Sequence, residues 1–153
     1  MGGQRGLLRA YGGRNHYTIA ASAFDPDSLG GATGDYLNLW NPATLSNQEN
    51  SRCFDAGLAL PDGATLRSVT FYYTQGAADG LSLQINRQNL SAHKSRDLAR
   101  LDPVSNGKSP VYSHKTVAIT SGTVFDTSQY AYSAGVCPFG DATFSGLMIN
   151  YTG

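Results

Sequence analysis

The clearest alternation of apolar and polar positions lies between Ala64 and Tyr73, where Arg67, Val69, Phe71 and Tyr73 interleave with Ser68, Thr70 and Tyr72. A period of two in residues that favour a pleated surface predicts one long central strand. Leu60-Pro61-Asp62-Gly63 launches it as a turn, and Ala77-Ala78-Asp79-Gly80 closes it. Beyond that closing turn, Leu81, Leu83 and Ile85 alternate with Ser82, Gln84 and Asn86, so residues 66–87 are expected to form a hairpin. Shorter runs of the same kind occupy 17–21, 36–40, 54–60, 111–120, 130–136 and 144–151. About eight strands joined by polar turns predict an all-β fold, an antiparallel β-sandwich of jelly-roll or Ig-like type. The pattern breaks over 88–101, where Leu90, Leu98 and Leu101 among Lys94, Arg96, Asp97 and Arg100 predict a short helical turn on a long crossover.

Residues 1–16 follow neither period. Gly2, Gly3, Gly6, Gly12 and Gly13 surround Leu7, Leu8 and Tyr11, with Arg5, Arg9 and Arg14 between them. This reads as an extended N-terminal arm ahead of a sandwich domain at 17–153. An arm of this kind can add a strand to a neighbouring sheet, its backbone supplying hydrogen bonds and its bulky side chains filling pockets. Leu7, Leu8 and Tyr11 are the candidate plugs of such an assembly arm.

Composition narrows the partners. Only 14% of residues are charged, and eleven basic residues balance eleven acidic ones. No excess positive charge exists to follow a phosphate backbone, which excludes nucleic acid as an expected partner. No apolar run approaches the roughly 20 residues that span a bilayer, so no membrane insertion is expected. The first ten residues hold no apolar core of a secretory signal. Cys53 and Cys137 lack the spacing of a metal site and read as one disulfide in an oxidising, extracellular or cell-surface setting. Two buried free thiols in a reducing compartment are the alternative.

Chemistry is sparse. His16, His93 and His114 stand without a second ligand at strand or helix spacing, so no metal is expected. A Gly-x-Ser-x-Gly elbow is missing, and ten aspartates with the single glutamate Glu49 are scattered, many beside glycine in turns. Asp25-Pro26-Asp27-Ser28-Leu29-Gly30 fails as a calcium loop at Leu29 and reads as a turn. The chain is therefore expected to be no enzyme, with no catalytic residue and no cofactor. Aromatic side chains remain: Tyr36, Trp40 and Tyr72 form a candidate platform for stacking on sugar rings, with core packing as the plainer account of Trp40. The sequons Asn89-Leu90-Ser91 and Asn150-Tyr151-Thr152 permit glycosylation at Asn89 and Asn150.

The stretch Cys53 to Leu66, with its Leu60-Pro61-Asp62-Gly63-Ala64 turn, runs into the tyrosine-rich strand at Val69–Tyr73, and the chain closes on Ile149-Asn150-Tyr151. In these features it resembles a group of secreted bacterial β-sandwich proteins over residues 15–153. It is also similar to subunits of extracellular bacterial fibres, in which a sandwich carries a terminal strand that completes the next subunit. That resemblance implies a structural subunit of a fibre or surface assembly, a homopolymer joined head to tail by the arm as donor strand. The alternatives are a carbohydrate-binding module, whose partners are glycans, and a virion or decoration protein.

Overall fold

A computed structural model describes residues 15–26, 36–40, 43–47, 53–76, 80–103, 107 and 111–153, with 36–40 and 43–47 described as backbone. Eleven strands follow one another: β1 (Asn15–Ala20), β2 (Asp25–Pro26), β3 (Tyr36–Trp40), β4 (Ala43–Asn47), β5 (Phe54–Gly57), β6 (Thr65–Gln75), β7 (Leu81–Asn89), β8 (Lys94–Leu101), β9 (Val111–Ala118), β10 (Tyr130–Pro138) and β11 (Thr143–Thr152). A 3-10 turn at Ala21–Ala23 is the one helical element among the described residues. The strands pair antiparallel in two sheets. The six-stranded sheet has the order β3-β4-β11-β6-β9, with β1 also paired to β11; the five-stranded sheet has the order β2-β5-β10-β7-β8. The expected antiparallel sandwich is the fold found.

The two inner faces carry the apolar half of each alternation. Val69, Phe71 and Tyr73 of β6 point inward as expected, as do Leu81, Leu83 and Ile85 of β7. Between the sheets, Phe24 meets Phe144 edge-on at 5.0 Å, and Phe125 stacks on Tyr132 at 4.1 Å. Burying each such ring contributes about 1.5–3 kcal/mol. The Tyr132 hydroxyl is satisfied as it goes in, accepting from the Asp126 backbone N–H and donating to the Val124 carbonyl.

The alternation misplaces one side chain of β6. The period of two places Arg67 with Val69, Phe71 and Tyr73, yet it is exposed and Leu66 is buried in its place. A register shift opposite Asn150 and Tyr151 inserts an extra residue in β6 there and resets the period. The expected hairpin over 66–87 is also corrected, because β6 pairs β11 and β9 while β7 pairs β10 and β8. Both strands have one apolar face, and they bury those faces in the shared core from opposite sheets instead of pairing side by side. The expected helical turn within 88–101 is the edge strand β8, joined to β7 by a turn at 90–93 in which Asn89 Oδ1 accepts from Ser91 N, Ser91 Oγ and Ala92 N. Leu98 and Ala99 are both buried, since a register shift between Ile85 and Asn86 breaks the period of two that would have marked a strand.

The first described strand begins at Asn15, inside the range assigned to the arm. It pairs with the same chain's β11 from Asn15↔Tyr151 to Ala20↔Gly146. Across β11, β6 runs along the whole strand, while β4 takes Thr143–Phe144 and β1 takes Gly146–Tyr151 on the other edge. Gly146 sits at that changeover with φ +148°, and a Cβ there would lie 2.7 Å from the Ile19 carbonyl oxygen. Leu7, Leu8 and Tyr11 lie outside the described residues.

Candidate functional site

The outer face of the six-stranded sheet is built from rows that cross its strands. Register sets His16, Asn150, Ser68 and Ala118 in one row, Thr18, Met148, Thr70 and Thr116 in the next, and Tyr72 beside His114 in a third, with Thr74 and Tyr112 following. Apart from Arg67 at its end, the described side chains in these rows are uncharged or imidazole and rich in hydroxyls. At its middle, Thr70 is only 5% exposed and shares a 2.8 Å hydrogen bond with Thr116. Toward one end, the Tyr72 and His114 rings stack with centroids 6.0 Å apart and planes 29° from parallel. Tyr112 stands diagonally beside Tyr72 on the same face and is 61% exposed. The result is a strip of three flat rings carrying phenol and imidazole edges.

At the opposite end of that face is a concavity of about 440 Å³ lined by His16, Arg67, Ser68, Asn150, Tyr151 and Thr152. Asn150 organises it: its Nδ2 donates to Ser68 Oγ at 3.0 Å, and its Oδ1 lies 2.6 Å from His16 Nδ1, which must then carry the proton. Arg67 donates to Thr152 Oγ1 at 3.2 Å.

The outer face of the five-stranded sheet holds a trough of about 520 Å³. Its floor is low because Gly135 lies between Asp55 and Gln84 in one row and Ser133 lies between Gly57 and Asn86 in the next. A Cβ at Gly135 would come within 3.2 Å of the Gln84 side chain, so the glycine gives that side chain room to lie across the floor. Asp55, Gln84, Asn86 and Ser133 offer hydrogen bonds along it, and the disulfide forms one end. Arg100 shares the row of Gln84 but is engaged by Asp102 at 2.7 Å and Asp97 at 3.5 Å. The hydrogen bond from Arg100 holds the Asp102 carboxyl below its ordinary range, and the same pairing holds the guanidinium proton more tightly.

Cys53 and Cys137 form the expected disulfide, which removes the free-thiol alternative. Of the expected sugar platform, Tyr72 lies on this outer face, whereas Tyr36 and Trp40 are on β3, whose side chains lie outside the described residues. β4 and β11 separate β3 from β6, a spacing of about 14 Å at 4.8 Å per strand step. Asn89 turns its amide oxygen into the β7–β8 turn, and the Asn150 amide is held between His16 and Ser68 within a central strand. The sequence did not single out Tyr112 or mark His114 as more than a surface residue. Their own spacing puts them on one face of a strand, but only the non-local pairing of β9 with β6 brings them to Tyr72.

This arrangement, two antiparallel sheets with an open outer face on each, is the β-sandwich seen in carbohydrate-binding modules. CsCBM6-3 from Clostridium stercorarium, solved in complex with cellobiose, superposes with a TM-score of 0.51 at 16% identity over 86% of this chain and 90% of that one. A family 6 carbohydrate-binding module whose binding subsites were dissected by crystallography gives 0.54 at 14% identity, again over 86% and 90%. No protein-family model and no curated protein matches the sequence. The likeness is one of fold.

It corrects the expectation of a fibre subunit. The matched folds are glycan-binding modules, and the described chain fills the free edge of β11 with its own β1. Edge strands β8 and β9 also carry Lys94, Arg96, Arg100 and Lys115, charges that discourage strand addition from a neighbour. The homopolymer and donor-strand readings are set aside. Among the described residues, no helix is long and apolar enough to cross a membrane.

Proposed function

We propose that this chain is an extracellular, non-catalytic carbohydrate-binding module that holds a glycan chain against the outer face of its six-stranded sheet. The observation that carries the reading is the strip of Tyr72, His114 and Tyr112. Sugar rings present an apolar face of C–H groups above a rim of hydroxyls, and flat aromatic rings with polar edges match both. The neighbouring Thr74 and Thr116 supply hydroxyls without charge, so little desolvation opposes a neutral ligand. The fold shared with two carbohydrate-binding modules supports this reading, and the cellobiose held by one of them makes β-linked gluco-oligosaccharides the first ligands to try. The disulfide supports an oxidising, extracellular setting.

The polar trough on the five-stranded sheet is a rival location for the same activity, favoured by the planar amides of Gln84 and Asn86 beside the Asp55 carboxylate. A soluble-polysaccharide gel-retardation panel tests the activity itself. Retardation by one glycan class is the expected result, and uniform mobility on every polysaccharide would refute the reading.

A further inference from the structure

We propose that the concavity at the far end of the same face is an anion site, so that the preferred glycan carries an acidic substituent, a carboxylate or a sulfate ester. This rests on the glycan-binding reading and extends it to the chemistry of the ligand. Arg67 is exposed and spends one donor on a neutral hydroxyl, Thr152 Oγ1. Among the described residues, the ion pairs are those of Arg100 with Asp97 and Asp102, and none of the six residues lining the concavity is acidic. Arg67 is thus unlike Arg100: its charge is left for a ligand. A guanidinium presents donors in a planar fork that matches two oxygens of one oxyanion.

The rest of the lining favours the same occupant. His16 is fixed with its Nδ1 proton on Asn150, and Asn150 is fixed in turn by Ser68, so the ring and the amide cannot reorient freely. The hydroxyl of Ser68 and that of Thr152 can each donate to an anion. Position completes the case. Ser68 lies four residues from Tyr72 along β6, about 13 Å at 3.3 Å per residue, within reach of one short oligosaccharide lying on the strip.

The test is calorimetric titration of the full chain with three forms of one oligosaccharide: unsubstituted, bearing a uronic acid, and bearing the methyl ester of that acid. The acid is expected to bind roughly tenfold or more tightly than its ester, the factor supplied by one charge-assisted hydrogen bond. Arg67→Gln should bind all three forms alike. A preference for the acid that survives in Arg67→Gln, or equal affinities in the unaltered chain, would overturn the proposal. A sulfated form of the same oligosaccharide then assigns the anion as carboxylate or sulfate. If no saccharide of any form binds, the glycan reading has failed independently. NMR titration with free glucuronate and with inorganic sulfate then decides the anion site: saturable shifts at His16 and Asn150 that vanish in Arg67→Gln support it, and their absence refutes it.

Discussion

Replacing both cysteines, as Cys53→Ser with Cys137→Ser, tests how much of the sandwich's stability comes from one covalent link. The bridge joins residues 84 apart in sequence, between the residue preceding β5 and the strand β10 that pairs with it. Native pairing already holds these strands together, so the link acts mainly on the unfolded chain by closing a long loop. The loop-closure relation gives an entropy loss of about 15 cal/mol/K for this separation, or roughly 4.6 kcal/mol at 25 °C. Residual structure in the unfolded ensemble lowers that figure, so a loss of about 2–5 kcal/mol is expected. For a chain of this size, each kcal/mol moves the midpoint by about 2–4 °C, which places the fall in Tm near 10 °C. Urea unfolding followed by far-ultraviolet circular dichroism provides the assay, run without reductant on both proteins. The double variant should show a lower midpoint and a steeper dependence on urea, because its unfolded state exposes more surface. A loss below about 1 kcal/mol with an unchanged slope would refute the reasoning.

Other perturbations address the fold around the candidate site. Gly146→Ala should cost about 2–4 kcal/mol, since the new methyl would crowd the Ile19 carbonyl at a φ that side chains rarely adopt; a melting temperature equal to the unaltered protein's would show that β1 does not pack on β11 as described. Asp62 accepts hydrogen bonds from Thr127 N at 2.9 Å and Thr127 Oγ1 at 2.7 Å, which hold its carboxyl below the ordinary value. Its folded pKa therefore lies below its unfolded one. The contribution is fully present above about pH 4 and is lost as pH falls through the folded pKa. Asp62→Asn should consequently lower the melting temperature at pH 7 and converge with the unaltered protein in acid, whereas a pH-independent gap would contradict that assignment.

How much of this could be read from the sequence depends on whether the information was local. The alternation at Val69–Tyr73 and Leu81–Ile85 reports which faces are buried, because each side chain's direction follows from its own strand. Which strand lies beside which is a different matter. The same alternation fits a hairpin and two strands facing each other across a core, so β6 and β7 were expected to pair when they do not. Register shifts erase the local signal altogether, as at Arg67 and at the adjacent buried pair Leu98 and Ala99. The candidate site suffers most. Tyr72 was legible as an aromatic on a strand face, but its companions come from β9, about 40 residues later, and the Arg67 concavity draws on β1, β6 and β11. The disulfide was legible as the one pairing two cysteines permit, with free thiols as the open alternative that the structure removes.

The most direct test of the account is titration calorimetry with β-linked gluco-oligosaccharides on the unaltered chain, Tyr112→Ala and Gln84→Ala. Tyr112 is already exposed, so its removal leaves the core untouched, and the loss of one aromatic contact with a sugar ring is worth about tenfold in affinity. Saturable binding that weakens by that factor in Tyr112→Ala and persists in Gln84→Ala is the predicted result; binding lost only in Gln84→Ala, or no binding to any saccharide, would contradict it.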